Sequence, residues 1–289
     1  MKKSMLFAGA ISLTLLVGIR LASLAAAEEF PAEWTEPTRP FRIVGDIYYV
    51  GTKGLAAYLI RSGGEAVLID GTMPENAALV EANVEALGMP LGDVDILLLS
   101  HAHIDHAGAL AELKRHSGAA LYASEGDRWA LENGKHDGDS AYSFLTFPPV
   151  TVDHALKDGE VVTVGSLELT ATLTPGHTKG CTTWSVPVIE NGETLRVVFP
   201  CSLSVAGNVL AGNMTYPTIA ADYRRSFGTV GAMEADVVLP SHPGLGGVLQ
   251  RAARRDAGDP RAFVDRALLK RIVDDARAAF EKELSKAKR

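Results

Sequence analysis

Residues 100–108 read Ser-His-Ala-His-Ile-Asp-His-Ala-Gly, which places three imidazoles and one carboxylate between positions 101 and 106. Neutral imidazole and carboxylate oxygen are donors that suit zinc in four- or five-coordinate geometry. The run directly follows an apolar stretch, residues 94–99 (VDILLL), which reads as a buried strand. A chain leaving a strand stays extended for a few residues, so His101 and His103 point the same way. Asp105 falls where a helix begins and His106 inside its first turn. Asp105 is thus a candidate helix cap as well as a ligand, since one oxygen can cap while the other binds metal. This spacing lets His101 and His103 share one ion while Asp105 and His106 turn toward a second. Two later histidines offer further ligands. His177 sits in Thr-Pro-Gly-His-Thr after a strand pair at 161–174, and His242 in Leu-Pro-Ser-His-Pro after a strand at 236–239. All three segments follow strand ends, and strand ends on one sheet edge bring distant loops together. Six ligands on one rim is the expectation. His116, His136 and His154 each stand alone among charged or turn residues and read as surface or satisfied core histidines.

The positioning elements are legible around these sites. Short strand-like runs cover residues 41–50, 56–61 and 65–70, and a helix pattern covers 75–87. Further helices are expected at 107–116, 125–132, 220–234 and 261–287, the last after Pro260. A short strand is expected at 121–123. Residues 133–149 form a long loop, a kind of segment that is often functional in compact domains. Strands at 182–189 and 194–199 flank Asn191-Gly192, the strongest short hairpin signal. Strands grouped early and late, each group followed by helices, suggest two packed sheets covered by helices.

Composition limits the function classes. The chain has 289 residues, 47% hydrophobic and 22% charged, an ordinary globular balance that argues against disorder and coiled coil. A net charge of −7 with no basic stripe points away from nucleic acid and anionic membranes. Two cysteines exclude a four-thiolate metal site and a disulfide framework. Cys181 and Cys201 bracket the expected hairpin, so they form either a bridge across it or two separate buried thiols. Residues 1–27 carry Lys2 and Lys3, an uncharged run from Met5 to Ile19, and Ala25-Ala26-Ala27, the plan of a secretory signal peptide. Arg20 cuts the apolar run short of a membrane span. The expectation is cleavage after Ala27, a single mature domain over 28–289, and a periplasmic destination without membrane attachment.

The HxHxDH run followed by distant single histidines resembles the metallo-β-lactamase superfamily over essentially the whole mature chain. Three further segments are similar to its class B lactamases of the third subclass: residues 174–184 (TPGHTKGCTTW), residues 199–207 (FPCSLSVAG), and Tyr216-Pro217 with residues 221–227 (ADYRRSF). The resemblance implies an α+β fold, a four-layer αβ/βα sandwich. It implies two Zn2+ ions, one held by His101, His103 and His177 and one by Asp105, His106 and His242. Glyoxalase-like and nuclease-like members place a bridging Asp where this chain has Cys201-Ser202, with no carboxylate. Two alignments remain there: Ser202 as a substrate contact, or Cys201 as a thiolate ligand.

The implied activity is hydrolysis of the β-lactam amide bond of antibiotics by a zinc-bound hydroxide, conferring antibiotic resistance, with Asp105 orienting the nucleophile. Ser202 and Ser204 are the expected partners of the substrate carboxylate, and Asn208 a weaker candidate for the developing oxyanion. Trp34, Phe144 and Phe147 are either apolar walls or core. The expected partner is a small-molecule β-lactam, with no nucleic acid, and the expected state is a monomer. The alternatives are a lactone or thioester hydrolase of the same fold, and a zinc-binding protein without chemistry.

Overall fold

The computed structural model describes residues 30–287; the expected signal segment, 1–27, lies outside the described residues. The unit Pro31–Arg289 contains every element described below. Among the described residues no helix is long and apolar enough to cross a membrane.

The first sheet has seven strands in chain order: β1 (Phe41–Arg42), β2 (Ile47–Tyr49), β3 (Tyr58–Ser62), β4 (Glu65–Ile69), β5 (Ile96–Leu98), β6 (Ala120–Ser124) and β7 (His154–Leu156). The pairings from β1 to β4 are antiparallel, and those from β4 to β7 parallel. Parallel neighbours need crossovers, which helices supply. These are α1 (Ala77–Ala86), the short α2 (Ile104–Ala107) with α3 (Leu110–Ser117), and α4 (Glu125–Asn133). The second sheet comprises β8 (Val161–Val164), β9 (Leu167–Leu173), β10 (Thr182–Glu190), β11 (Glu193–Phe199) and β12 (Val237–Val238), ordered β12-β11-β10-β9-β8. Only its β11–β12 pair is parallel, joined through α5 (Ile219–Gly231). The chain ends with α6 (Pro243–Gly246), α7 (Val248–Asp256) and α8 (Leu268–Ala287).

Alternation along the strands builds the layers. Ile60, Val67, Ile69 and Leu98 of the first sheet meet Val186, Val188, Val197 and Phe199 of the second in one buried core. The next residues along those strands, Leu59, Leu68 and Leu97, are also fully buried. They point to the opposite face, where α1 and α3 bury Val80, Val84, Leu110 and Leu113. On the far side of the second sheet, Val198 and Val238 pack with Phe227 of α5 and Phe280 of α8. Helix, sheet, sheet, helix is the expected four-layer α+β arrangement. Trp184, fully buried between the sheets, donates its Nε1 hydrogen to the Leu99 carbonyl at 3.0 Å. That bond pins the end of β5 just before the histidine run.

Several boundaries differ from the sequence expectation. Residues 41–50 split into β1 and β2 because Gly45 turns the chain at φ +52°. β7 was not anticipated; three residues on a sheet edge are too few to carry a period. α7 was missed because its sequence VLQRAARRD buries only Val248 and Ala252. The C-terminal helix begins at Leu268 rather than residue 261. The Val264 bridge to Val237, and the bond from Asp265 N to the Asp236 carbonyl, hold the chain against the sheet edge until then.

Asp265 also fixes that junction by accepting from Arg251 Nη2 at 2.9 Å and Arg271 Nη2 at 2.7 Å. Burial disfavours its charge, but Arg271 and Arg251 outweigh burial and hold the carboxyl down at about 2. Its folded pKa lies below its unfolded one, so the stabilisation exists above about pH 4 and fades as pH falls toward 2. We expect Asp265→Asn to cost about 2 kcal/mol at pH 7, with the difference from the parent closing near pH 2. Urea midpoints of both metal-stripped proteins at pH 7, 4 and 2 check this.

Candidate metal centre

Each candidate ligand follows a strand end, and neighbouring strand ends lock the loops. Asp70 follows β4, is buried, and sits at φ +63°, a left-handed conformation that Asp tolerates. Its Oδ1 accepts from Ser100 N at 2.7 Å and its Oδ2 from Ser100 Oγ at 2.7 Å. Gly71 N donates to the His106 carbonyl at 2.8 Å. The loop after β4 therefore fixes both ends of the histidine run. The helix carrying Asp105 and His106 starts at Ile104 with His103 in the N-cap position, so Asp105 does not cap it. That corrects the capping expectation and leaves the carboxylate to its metal-site neighbours.

His177 is delivered by the loop after β9. A Cβ on Gly176, at φ +144°, would lie 2.9 Å from Tyr223 Cγ, so only glycine lets this loop press against α5. His242 follows β12, where Tyr58 OH donates to the Pro240 carbonyl at 2.8 Å and Ala56 N to the Ser241 carbonyl at 2.9 Å.

The structure brings all six residues together in two groups. His101, His103 and His177 offer ligand atoms within 4.8 Å of one another, and so do Asp105, His106 and His242. The rings of His101 and His106, one from each group, have centroids 4.2 Å apart. His101, Asp105, His106 and His177 are buried, whereas His242 is about a third exposed and opens the site to solvent.

Hydrogen bonds assign the ring protons. His177 Nδ1 donates to the Ser204 carbonyl at 2.7 Å, which leaves Nε2 as a lone pair. Ser100 Oγ donates to Asp70, so it accepts from His101 Nδ1 at 3.0 Å, and His101 Nε2 is also a lone pair. These two Nε2 atoms face each other at 3.1 Å. In the second group His106 Nδ1 lies 3.3 Å from Asp70 Oδ2. Its Nε2 faces Asp105 Oδ2 at 3.1 Å and His242 Nε2 at 3.3 Å. His242 Nε2 is 3.3 Å from the same carboxylate oxygen. The opposed Nε2 lone pairs of His101 and His177 repel unless a cation lies between them, and the Asp105 carboxylate gathers positive charge into the second group. The donor set of nitrogen with one carboxylate fits zinc.

Electrostatics agree with this division. Burial and the neighbouring imidazoles push His101 and His103 well below the usual range, and burial holds His177 down at about 4. The first group is therefore neutral and ready to ligate. Burial also opposes a charged His106, but Asp105 and then Asp70 outweigh it and push this ring up to about 10. Burial works against ionised Asp105 too, yet His106 and His242 hold it well below the carboxylate range. The second group thus attracts positive charge.

The remaining expected residues divide. Ser202 and Ser204 hydroxyls lie 3.1 Å apart on the loop after β11, beside the first group. The Asn208 amide nitrogen donates to the His177 carbonyl at 3.0 Å and reaches the Tyr223 hydroxyl at 3.4 Å. These contacts tie Asn208 to the His177 loop, beside the first group. Phe147 is buried core, Phe144 is largely exposed, and the Trp34 ring packs 5.7 Å from His242. Cys181 and Cys201 form a disulfide, so Cys201 is not a thiolate ligand. Sequence reasoning missed Asp70, Ser100, Asp127 and His136. An aspartate closing the apolar run of β4 was a usable signal for Asp70. The others carried none, because their roles come from contacts across loops.

Residues 51–242 match the family model of the metallo-beta-lactamase superfamily. The chain is 40% identical to BJP-1, a subclass B3 metallo-beta-lactamase of Bradyrhizobium japonicum, with a TM-score of 0.85 over 89% of this chain and 97% of that one. It is 36% identical to native FEZ-1 metallo-beta-lactamase from Legionella gormanii, with a TM-score of 0.85 over 90% of this chain and 99% of that one. A hydroxyacylglutathione hydrolase of Fuscovulum blasticum is 28% identical over 69% of this chain and 66% of its own length. The chain spans about half to two thirds of the length of such curated relatives. A family model spanning most of both sheets, and B3 chains matched almost end to end, agree on one lineage: the protein belongs to the metallo-β-lactamase superfamily, among its subclass B3 members.

Proposed function

We propose that this chain is a zinc-dependent β-lactamase that opens the four-membered amide ring of β-lactam antibiotics and so confers resistance. The observation that carries this is the meeting of two three-ligand groups whose lone pairs and carboxylate face one another. When bound, two zinc ions supply Lewis acidity that polarises the lactam carbonyl and yields a nucleophile from water near neutral pH.

This chain's own residues do the rest. His101, His103 and His177 hold one ion, and Asp105, His106 and His242 the other. Asp105 turns Oδ2 toward His106 and His242 and keeps a second oxygen to orient the attacking water. Ser202 and Ser204 offer paired hydroxyls to the carboxylate beside the lactam nitrogen. The Ser204 carbonyl, shared by His177 Nδ1 and Tyr223 OH, keeps the His177 ring aimed at its partners. No side chain needs to form a covalent bond to substrate. The alternative thioester hydrolase is disfavoured, because the chain has no carboxylate at Cys201-Ser202. Residues 1–27 serve as the signal peptide, and the mature domain 28–289 works in the periplasm as a soluble monomer.

The test is hydrolysis of a carbapenem by purified mature protein, followed by loss of its ultraviolet absorbance. Activity is expected to stop with a chelator and return with zinc, while a hydroxyacyl thioester is left intact. Zinc-loaded protein that spares every β-lactam but cleaves the thioester would reverse the assignment.

A further inference from the structure

None of the six ligands explains how the two loops of the first group keep their separation, and one helix outside the group does. α4 starts immediately after β6 with Ser124 as its N-cap, its hydroxyl accepting from Gly126 N. Asp127, in the first turn, is only 3% exposed. Its Oδ2 accepts from Ala102 N at 2.9 Å and from Thr178 Oγ1 at 3.0 Å, and its Oδ1 from Gly180 N at 2.9 Å. Ala102 stands between His101 and His103, and Thr178 follows His177. One carboxylate therefore ties together the two loops that supply all three imidazoles.

The close approach is built in. A Cβ on Gly180 would lie 2.4 Å from Asp127 N, and one on Gly126 would lie 2.5 Å from the Lys179 carbonyl. The chain leaving α4 completes the grip. His136 Nε2 accepts from Ile104 N at 3.1 Å, and its ring stacks on His103 at 4.2 Å. The amides on both sides of His103 are thus held by α4 and the segment that trails it. Burial pushes the Asp127 carboxyl up to about 6, so a carboxylate here carries a desolvation cost that its three donors offset.

We propose that Asp127 is a positioning residue for the three-imidazole group: by bridging Ala102, Thr178 and Gly180 it sets the spacing at which His101, His103 and His177 receive a zinc ion, with His136 bracing His103 from the other side. The inference rests on the zinc reading of the site. An asparagine at 127 is nearly the same size. It must, however, turn an N–H toward either Gly180 N–H or the Ala102 and Thr178 donors. A misplaced outer partner of this kind costs about 10–100-fold in metal affinity.

The experiment titrates metal-stripped mature protein with Zn2+ against a chromophoric chelator, and with Co2+ followed by its visible absorption. The two donor sets, three nitrogens against two nitrogens and an oxygen, give separable cobalt bands. Asp127→Asn is expected to weaken the three-imidazole site about 10–100-fold and to shift its bands, leaving the Asp105 site as in the parent. Thr178→Val removes one of the three bonds, and His136→Phe keeps a stacked ring but removes the acceptor for Ile104 N. Both are expected to give smaller losses at the same site, and they decide the question if Asp127→Asn does not fold. A merely structural role would lower the melting temperature and weaken both sites alike, and that outcome overturns the proposal. A parent that binds two zinc ions beside an Asp127→Asn protein of equal affinity overturns the clamp alone. A parent that takes up no zinc overturns the functional reading with it.

Discussion

Replacing His177 by alanine is expected to lower kcat/KM for a carbapenem by about 10³-fold, since a catalytic metal is worth several kcal/mol and each 1.36 kcal/mol is tenfold. His177 Nε2 lies 3.1 Å from His101 Nε2, and its Nδ1 is fixed on the Ser204 carbonyl. Alanine leaves two imidazoles in a group built for three, so the first group loses a ligand while the Asp105 group keeps its three. The Ser204 carbonyl still accepts from Tyr223 OH at 2.7 Å, so the loop after β11 keeps its anchor. Folding should therefore survive the substitution. It should even be eased in the metal-free protein, because one of two opposed lone pairs is gone. Metal analysis and a melting curve on the same sample check this. A protein that keeps full activity with one zinc fewer would contradict the roles given to the first group.

Asp70→Asn is expected to act through the second group. The Asp70 carboxylate accepts from Ser100 N and Oγ and lies 3.3 Å from His106 Nδ1. Asparagine tolerates the left-handed backbone at φ +63°, so the change tests charge and acceptor number rather than conformation. Its amide must direct a donor at the Ser100 N–H or hydroxyl, both already donors toward this residue, or at the nearby His106 ring. An unsatisfied buried donor costs about 1–3 kcal/mol of stability. The loss of orientation at His106 is expected to weaken metal binding there by about 10–100-fold. Urea denaturation of the stripped protein reads the first effect and chelator competition the second. Unchanged affinity with reduced stability would confine Asp70 to the fold.

These two residues also mark how far the sequence could be read. His177 was legible because a histidine after a strand, in Thr-Pro-Gly-His-Thr, asks for a partner. Asp70 left a fainter signal, an aspartate closing an apolar strand, which says that the residue is special but names no partner. His136 carries no local mark beyond that of a surface or satisfied core histidine, and its bond to Ile104 N comes from a loop 32 residues further along the chain. The Asn208 amide also holds the His177 carbonyl, a contact that its sequence neighbours do not announce. In each case the deciding partner lies on another loop, and no local period records it. The same limit explains α7 and β7, whose few buried positions leave no pattern. It also explains residues 261–267, where the bridge to β12 overrode a helical composition.

The order of residues alone carries the donor chemistry: three imidazoles and a carboxylate in one short run, two further histidines after strands, and too few cysteines for a sulfur site. It also determined the alternating apolar positions that stack two sheets between helices. Side-chain type and period are local properties, and they survive in a string of letters. Folding sets which ring nitrogen carries the proton, which hydroxyls lie beside the site, that Cys181 and Cys201 are joined, and that Asp70 and Asp127 hold the loops. Those outcomes depend on distances between segments far apart in the chain, which packing sets.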